Sequence, residues 1–177
     1  MRIIAGEWRG RAIAAPSGDA TRPTSDRARE ALFSMLASRL GSFEGLRVAD
    51  LFAGTGALGL EALSRGAAHC SFVEQDRAAV ETLRGNVAKL GAGDRADVRA
   101  QSALHPLPGP FDLLLIDPPY ASGLGGEALA AWRGTLAPGA WVSVETGARE
   151  TVAAEGFTLE AERSYGKAKI SLLTRDA

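Results

Sequence analysis

Apolar positions along this chain follow two alternating rhythms. From Arg47 onward, short continuous apolar runs take turns with stretches whose apolar residues recur three and four apart. A short run bounded by turn residues reads as a buried strand, and a three-to-four period reads as a helix with one buried face. Strands are thus predicted over 48–52, 70–74, 97–100, 113–116 and 141–145. Between them, Leu58, Leu60, Ala62 and Leu63 mark a helix stopped at Gly66, and Val80, Leu83, Val87 and Leu90 mark another stopped at Gly91. A further helix is predicted near 127–136, after a flexible loop over 123–126. The run 113–116 is apolar on both faces, as a central parallel strand is. After Gly156 the alternation ceases. Segments 157–163 and 168–174 both read as strands, joined by Ser164-Tyr165-Gly166-Lys167 into a closing antiparallel hairpin.

The N-terminal part has a different pattern. Segments 2–5 and 11–14 flank a loop containing Gly6 and Gly10, which predicts a short hairpin, and 16–23 reads as a Gly-, Ser-, Thr- and Pro-rich loop. Ser25 and Asp26 then open a helix whose apolar face is Ala28, Leu32, Met35, Leu36 and Leu40, stopped by Gly41. The expected fold class is α/β: a doubly wound, mostly parallel sheet with right-handed crossovers and a C-terminal antiparallel hairpin. A hairpin, loop and helix extension over 1–40 precedes a main domain over 41–177.

Composition narrows the class. With 46% hydrophobic and 23% charged residues in 177, the chain can bury a core and does not read as disordered. No run approaches the roughly 18 apolar residues of a membrane span, and no secretory leader is visible, so a cytoplasmic location is expected. One cysteine, Cys70, excludes an internal disulfide; with His69 and His105 showing no ligand spacing, no metal is expected. The net charge of −1 conceals an asymmetry: residues 1–39 carry seven arginines against four acids, a net of +3. Guanidinium forks suit oxyanions, so this end is a candidate phosphate-contacting face.

The candidate chemistry falls at the carboxyl ends of the predicted strands, where such sheets bind ligands. Gly54-Thr55-Gly56-Ala57-Leu58-Gly59 follows a strand and opens a helix. Glycines there permit a sharp turn and close approach of a ligand to helix amides. Glu74 lies 20 residues past Gly54, at the end of the next strand, where a carboxylate can accept both hydroxyls of a ribose. Asp50, within the strand before the turn, suits the amino end of a methionine moiety and would repel a pyrophosphate, which favours S-adenosylmethionine over NAD. Phe52, by its own chemistry, is assigned only to the core.

Asp117-Pro118-Pro119-Tyr120 ends the fourth strand. Prolines lack a backbone donor and stiffen the chain, so the segment is expected as an exposed shelf carrying a carboxylate, bare carbonyls and a flat ring. That suits a planar group bearing NH2. Hydrogen bonds from the amine to Asp117 and the Pro118 carbonyl would localise its lone pair and stabilise the charge that develops on alkylation. Tyr120 can stack on a base that is unpaired or flipped out. Trp132 and Trp141 read as packing residues, whereas Trp8, in a loop among arginines, is a candidate RNA contact. Residue chemistry thus reaches an amine methyltransferase with a basic extension. It leaves open guanine N2, adenine N6 of DNA, or a protein glutamine amide. A NAD-dependent oxidoreductase and a non-catalytic RNA-binding module are the competing classes.

The motifs Arg2-Ile-Ile-Ala-Gly6, Arg9-Gly10-Arg11, Arg22-Pro23-Thr24-Ser25-Asp26-Arg27, Arg29-Glu30-Ala31-Leu32-Phe33, Asp50-Leu51-Phe52-Ala53-Gly54-Thr55-Gly56 and Asp117-Pro118-Pro119-Tyr120 resemble, in order and spacing, the RsmD family. Tyr165-Gly166 and Ile170 are similar to its final hairpin. The cofactor motifs are shared by many class I (Rossmann-like) methyltransferases, so the N-terminal arginines carry the family-level specificity. The resemblance implies methyl transfer to guanine N2 in 16S ribosomal RNA, on an assembled or nearly assembled 30S subunit including its proteins, by a monomer. It implies a cofactor site over Asp50, Phe52, Ala53, Gly54, Thr55, Gly56, Glu74, Gln75, Ser102 and Ala103, and a catalytic segment of Asp117, Pro118, Pro119 and Tyr120. Arg2, Arg9, Arg11, Arg22, Thr24 and Arg27 are the implied RNA contacts. One departure stands out: Ser102-Ala103 occupies the place of the family's usual Asp-Ala, so an acidic contact to adenine is missing there.

Overall fold

The computed structural model describes residues 1–15, 26–152 and 155–177. In chain order the elements are α1 (Asp26–Leu40), β1 (Arg47–Leu51), α2 (Ala57–Ser64), β2 (His69–Glu74), α3 (Arg77–Leu90), β3 (Ala96–Ala100), β4 (Phe111–Ile116), α4 (Leu124–Trp132), β5 (Leu136–Gly147), β6 (Phe157–Tyr165) and β7 (Ala168–Arg175). They form a seven-stranded sheet of order β3-β2-β1-β4-β5-β7-β6. The first five strands pair in parallel, and β7 runs antiparallel to both β5 and β6. Among the described residues no helix is long and apolar enough to cross a membrane.

Alternation along β4 shows how the sheet is covered on both faces. Leu113 and Leu115 join one core cluster with Leu60, Leu63, Phe72 and Leu83. Leu114 and Ile116 join another with Leu51, Leu129 and Trp132. Successive side chains on a strand point to opposite faces, so only a strand packed on both sides accommodates four large apolar residues in a row. Each such side chain contributes about 1.5–3 kcal/mol on burial. The helix α3 begins where Asp76 accepts the Ala79 amide at 3.0 Å and ends at left-handed Gly91.

Two expectations from the sequence need correction. The loop expected over 123–126 belongs largely to α4, which starts at Leu124. A Cβ on Gly125 would lie 3.0 Å from Val144 Cγ1. Its glycine therefore lets the helix settle closely on β5, and packing outweighs weak helix propensity. The strand expected over 141–145 runs instead from Leu136 to Gly147, because Leu136 pairs with Phe111 of β4 at one end and Thr146 and Gly147 pair with β7 at the other.

The N-terminal hairpin is also not formed. Segments 2–5 and 11–14 form no strand pair: they meet at one antiparallel bridge between Arg2 and Ala12, flanked by bonds from the Ile3 amide to the Arg11 carbonyl and from the Ile13 amide to the Met1 carbonyl, both at 2.9 Å. Beyond that bridge, the Ile4, Ala5, Trp8 and Ala14 amides turn toward helices. The Ile4 and Ala5 amides donate to the Glu61 carboxylate at 2.9 and 3.1 Å, and the Trp8 amide donates to Ser64 Oγ at 3.0 Å. Asn86 accepts from the Ala14 amide at 2.8 Å and returns a bond to the Ala14 carbonyl at 3.1 Å. Ile3, Trp8 and Ile13 consequently enter the same core cluster as α1 and α2. Trp8 is a packing residue, buried with the Arg95 guanidinium 5.0 Å from its ring centre, and not a surface contact.

Glu61 is the anchor of this docking. It and Arg29 are both fully buried, with Nε and Oε1 3.7 Å apart, while Arg65 donates to its other oxygen at 2.9 Å. Without Glu61 the buried Arg29 keeps, among the described residues, only the Asp26 carboxylate, 3.0 Å away, and breaking a buried pair costs about 3–5 kcal/mol. Glu61→Ala is therefore expected to lower unfolding free energy by about that amount in urea titration. A loss comparable with an exposed substitution would show that the N-terminal segment is held elsewhere.

Candidate active site

The sheet reverses its winding between β1 and β4, and a cavity of about 730 Å³ opens at their carboxyl ends. Its wall includes Asp50, Phe52, Ala53, Gly54 and Thr55 from the first turn and Glu74 and Gln75 after β2. Ser102 and Ala103 follow β3, and Asp117, Pro118, Pro119 and Tyr120 follow β4. Every residue anticipated for cofactor or catalysis lines this cavity except Gly56. Gly56 lies behind the wall, in left-handed geometry at the start of α2. The wall also contains Ala57 and Leu58 of the glycine motif, which were given no contact, and Met1, Val73, Asp76, Leu104 and Leu124, which the motifs did not flag. Met1 and Leu124 flank motifs without belonging to them, and neither residue type signals a ligand; Met1 brings the N-terminal segment to the rim.

The first turn is built by backbone geometry. Phe52 has φ +58°, a left-handed conformation costly for a bulky residue, and Gly54 and Gly56 follow at +57° and +87°. A non-glycine residue held there is the kind of strain that clusters at functional sites. Gly59 has a packing role: a Cβ there would lie 2.3 Å from Phe72 Cε1 and 2.7 Å from Cys70 Sγ, so glycine alone lets α2 lie on β2. Asn86 ties this turn to the N-terminal segment, donating to the Thr55 carbonyl at 3.0 Å as well as to Ala14.

Asp50, Glu74 and Asp117 each bring a carboxylate to the cavity, and Asp76, whose side chain caps α3, lines it as well. Glu74 accepts the Gly54 amide with one oxygen and the Asp76 amide with the other, both at 2.8 Å. These bonds orient it and leave each oxygen a further lone pair. Asp50 accepts the Gly59 amide at 2.9 Å and is buried. Burial holds the Asp50 carboxyl well above the usual range; the Gly59 bond opposes this, and the charges of Asp117 and Glu74 add to the rise. A site that resists a further negative charge favours a cation and disfavours a pyrophosphate.

The segment after β4 is less exposed than its sequence suggests. Only Pro119 is exposed; Asp117 and Tyr120 are half-buried and Pro118 is buried. Pro118 lies under α4, where a Cβ on Gly125 would be 3.7 Å from its Cγ. The Tyr120 hydroxyl donates to Glu145 Oε2 at 3.1 Å. Behind Ser102, Leu104 donates to the Ser102 hydroxyl at 3.1 Å, and the Trp132 indole donates to the Ala103 carbonyl at 2.6 Å. Trp132, buried in the core, thereby fixes the loop that carries the serine.

Of the expected RNA contacts, Arg2, Arg9, Arg11 and Arg27 do not line the cavity and are exposed. Arg2 donates to the Gly10 carbonyl and Arg11 to the Lys89 carbonyl, both at 2.7 Å. Arg22 and Thr24 fall outside the described residues.

Known proteins share this architecture along the whole chain. The family described as Conserved hypothetical protein 95 matches residues 1–174. Ribosomal RNA small subunit methyltransferase D of Escherichia coli is 40% identical, over 100% of this chain and 91% of its own. Its counterpart in Haemophilus influenzae is 37% identical, over 94% of this chain and 89% of its own. The solved structure of yhhF from Escherichia coli superposes with a TM-score of 0.87 at 38% identity, covering 100% of this chain and 98% of that one. With glycine turn, strand order and N-terminal docking all inside the matched span, the chain belongs to the Conserved hypothetical protein 95 family, the RsmD family of small-subunit ribosomal RNA methyltransferases.

Proposed function

We propose that this chain transfers a methyl group from S-adenosylmethionine to the exocyclic N2 amine of a guanine in 16S ribosomal RNA, on an assembled or nearly assembled 30S subunit. One observation carries the reading. The acidic, glycine-turned wall that suits a sulfonium cofactor and the Asp117–Tyr120 segment that suits a planar amine line the same cavity. S-adenosylmethionine supplies the electrophilic methyl group. Residues of the first turn, with Asp50, Glu74, Gln75, Ser102 and Ala103, hold it. The fit is electrostatic as well as steric, because three carboxylates converge where the cofactor carries its positive charges.

On the substrate side, Asp117 and the Pro118 carbonyl accept hydrogen bonds from the target NH2. An aryl amine is a poor nucleophile because its lone pair is spread into the ring; acceptors on both N–H bonds favour the localised form and stabilise the developing cation. No strong base is needed, since the product ammonium is acidic. Tyr120 stacks on the base, worth about 1–3 kcal/mol, and Pro119 keeps the segment stiff. The unit 41–177 performs the chemistry. The extension 1–40 presents Arg2, Arg9, Arg11, Arg22, Thr24 and Arg27 to the RNA, with ribosomal proteins beside the target. The enzyme acts as a monomer in the cytoplasm.

Incubating 30S subunits with the protein and methyl-labelled cofactor, then analysing nucleosides, is expected to give labelled N2-methylguanosine in 16S RNA. Labelled methyladenosine, or no transfer, overturns the reading. In the same assay Asp117→Ala is expected to lower kcat by at least about 10²-fold, the scale for loss of one preorganised electrostatic contact. Calorimetric affinity for the cofactor stays near wild type; weak cofactor binding with normal turnover would reassign Asp117.

Asp50 predicts a pH dependence. Its carboxyl has a higher pKa folded than unfolded, so the folded state binds the proton more tightly and this group's stability contribution falls as pH rises above about 3.9 toward the folded value. Asp50→Asn removes that slope. Thermal melts of the ligand-free protein across pH are expected to show the variant gaining on wild type as pH rises, while calorimetry shows weaker cofactor binding. A variant less stable at every pH would contradict the assignment.

For Arg9→Ala, RNA affinity is expected to fall and the slope of log affinity against log salt to shrink by roughly one, as for a lost phosphate contact. An unchanged slope gives Arg9 a structural role.

A further inference from the structure

Glu145 has no part in the chemistry described so far, yet its position is specific. Val144 pairs with Ile116 in the parallel ladder between β5 and β4, so Glu145, still within β5, stands one residue past that pair, as Asp117 does at the end of β4. The two carboxylates leave neighbouring strands on the same face. Glu145 is 9% exposed, and a buried carboxylate is costly unless hydrogen-bonded. It accepts the Tyr120 hydroxyl at 3.1 Å. Two residues further on, the β5 backbone lies against the same ring: a Cβ on Gly147 would be 3.9 Å from Tyr120 Cδ2.

We infer that Glu145 is a positioning residue for the substrate base, acting through Tyr120. The hydroxyl lies on the long axis of the ring, so its hydrogen bond fixes where that axis points. The β5 backbone at Gly147 runs close to one edge of the ring and leaves little room on that side for it to turn. Together they hold the ring plane before the base arrives, so less side-chain freedom is lost on stacking. The inference rests on the reading of Tyr120 as the stacking platform.

The test compares kcat and KM for 30S subunits, cofactor affinity by calorimetry, and melting temperature across four variants. Glu145→Leu is expected to lower kcat/KM for RNA by about 10²-fold, the scale of a misplaced positioning group, with cofactor affinity unchanged. Glu145→Gln, whose amide oxygen still accepts the hydroxyl, restores most of it. Tyr120→Phe keeps the ring, loses the bond, and is expected to match Glu145→Leu, so it carries the test if the leucine variant fails to fold. Wild-type kcat/KM in Tyr120→Phe, or a Glu145→Gln variant as impaired as Glu145→Leu, overturns the inference. Tyr120→Ala separates the two levels. Full activity there removes the platform itself. Impairment there, with Tyr120→Phe and Glu145→Leu both unimpaired, removes only the role of Glu145.

Discussion

Parallel pairing of β1 with β4 is the constraint on which the site depends. Leu51 sits beside Ile116, and the Asp117 amide continues the ladder to the Leu51 carbonyl at 3.4 Å. Two strands far apart in sequence therefore end side by side, where the sheet changes its direction of winding. Crossovers leave in opposite directions from that point and cannot cover it, so a crevice remains. The glycine turn and the Asp-Pro-Pro-Tyr segment form its opposing walls because each directly follows one of these strands. Reacting groups held in contact gain the part of the barrier that would otherwise be entropic. Here the sheet supplies that proximity through backbone hydrogen bonds, which resist deformation better than loop contacts do.

The crevice is electrostatically unbalanced. Asp50, Glu74 and Asp117 face it, and the Asp50 carboxyl is pushed upward chiefly by burial. A ligand carrying positive charge relieves that imbalance, and a phosphate aggravates it. The same glycine spacing serves dinucleotides in other folds, so the acid inside β1, rather than the glycines, separates the two ligand classes. Polar residues on the helices have a parallel role toward the N-terminal segment. Glu61, Ser64 and Asn86 face inward from α2 and α3 and satisfy its backbone. Asn86 also holds Thr55 of the cofactor turn, so the arginine-bearing segment and the cofactor wall share one fastening.

Much of this was legible in the residues. The two apolar rhythms located each strand of the sheet and the helices between them, because burial on both faces needs near-continuous apolar runs and burial on one face needs a helical period. The site motifs were legible for a similar reason: turns that need glycine or proline leave few alternatives in residue type. Elements decided by long-range packing were not legible. Gly125 and Gly126 read as a loop, yet both are helical, with Gly125 packed closely on β5. Segments 2–5 and 11–14 read as a hairpin, yet pairing stops at one bridge, because helix acceptors distant in sequence take the Ile4, Ala5 and Ala14 amides. Trp8 read as a surface ring because nothing local announces that Ile3, Ile13 and Leu36 close around it.

Local chemistry thus settled which residues bear the reactive groups and which segments are strands or helices, since propensity, turn geometry and periodicity act over a few positions. Tertiary structure decided which of those groups meet. Strand order joined the two walls, inward-facing Glu61 and Asn86 fastened the N-terminal segment, and β5 delivered Glu145 to the Tyr120 hydroxyl. Those outcomes depend on pairings between distant segments, whose energies arise only once both partners are in place.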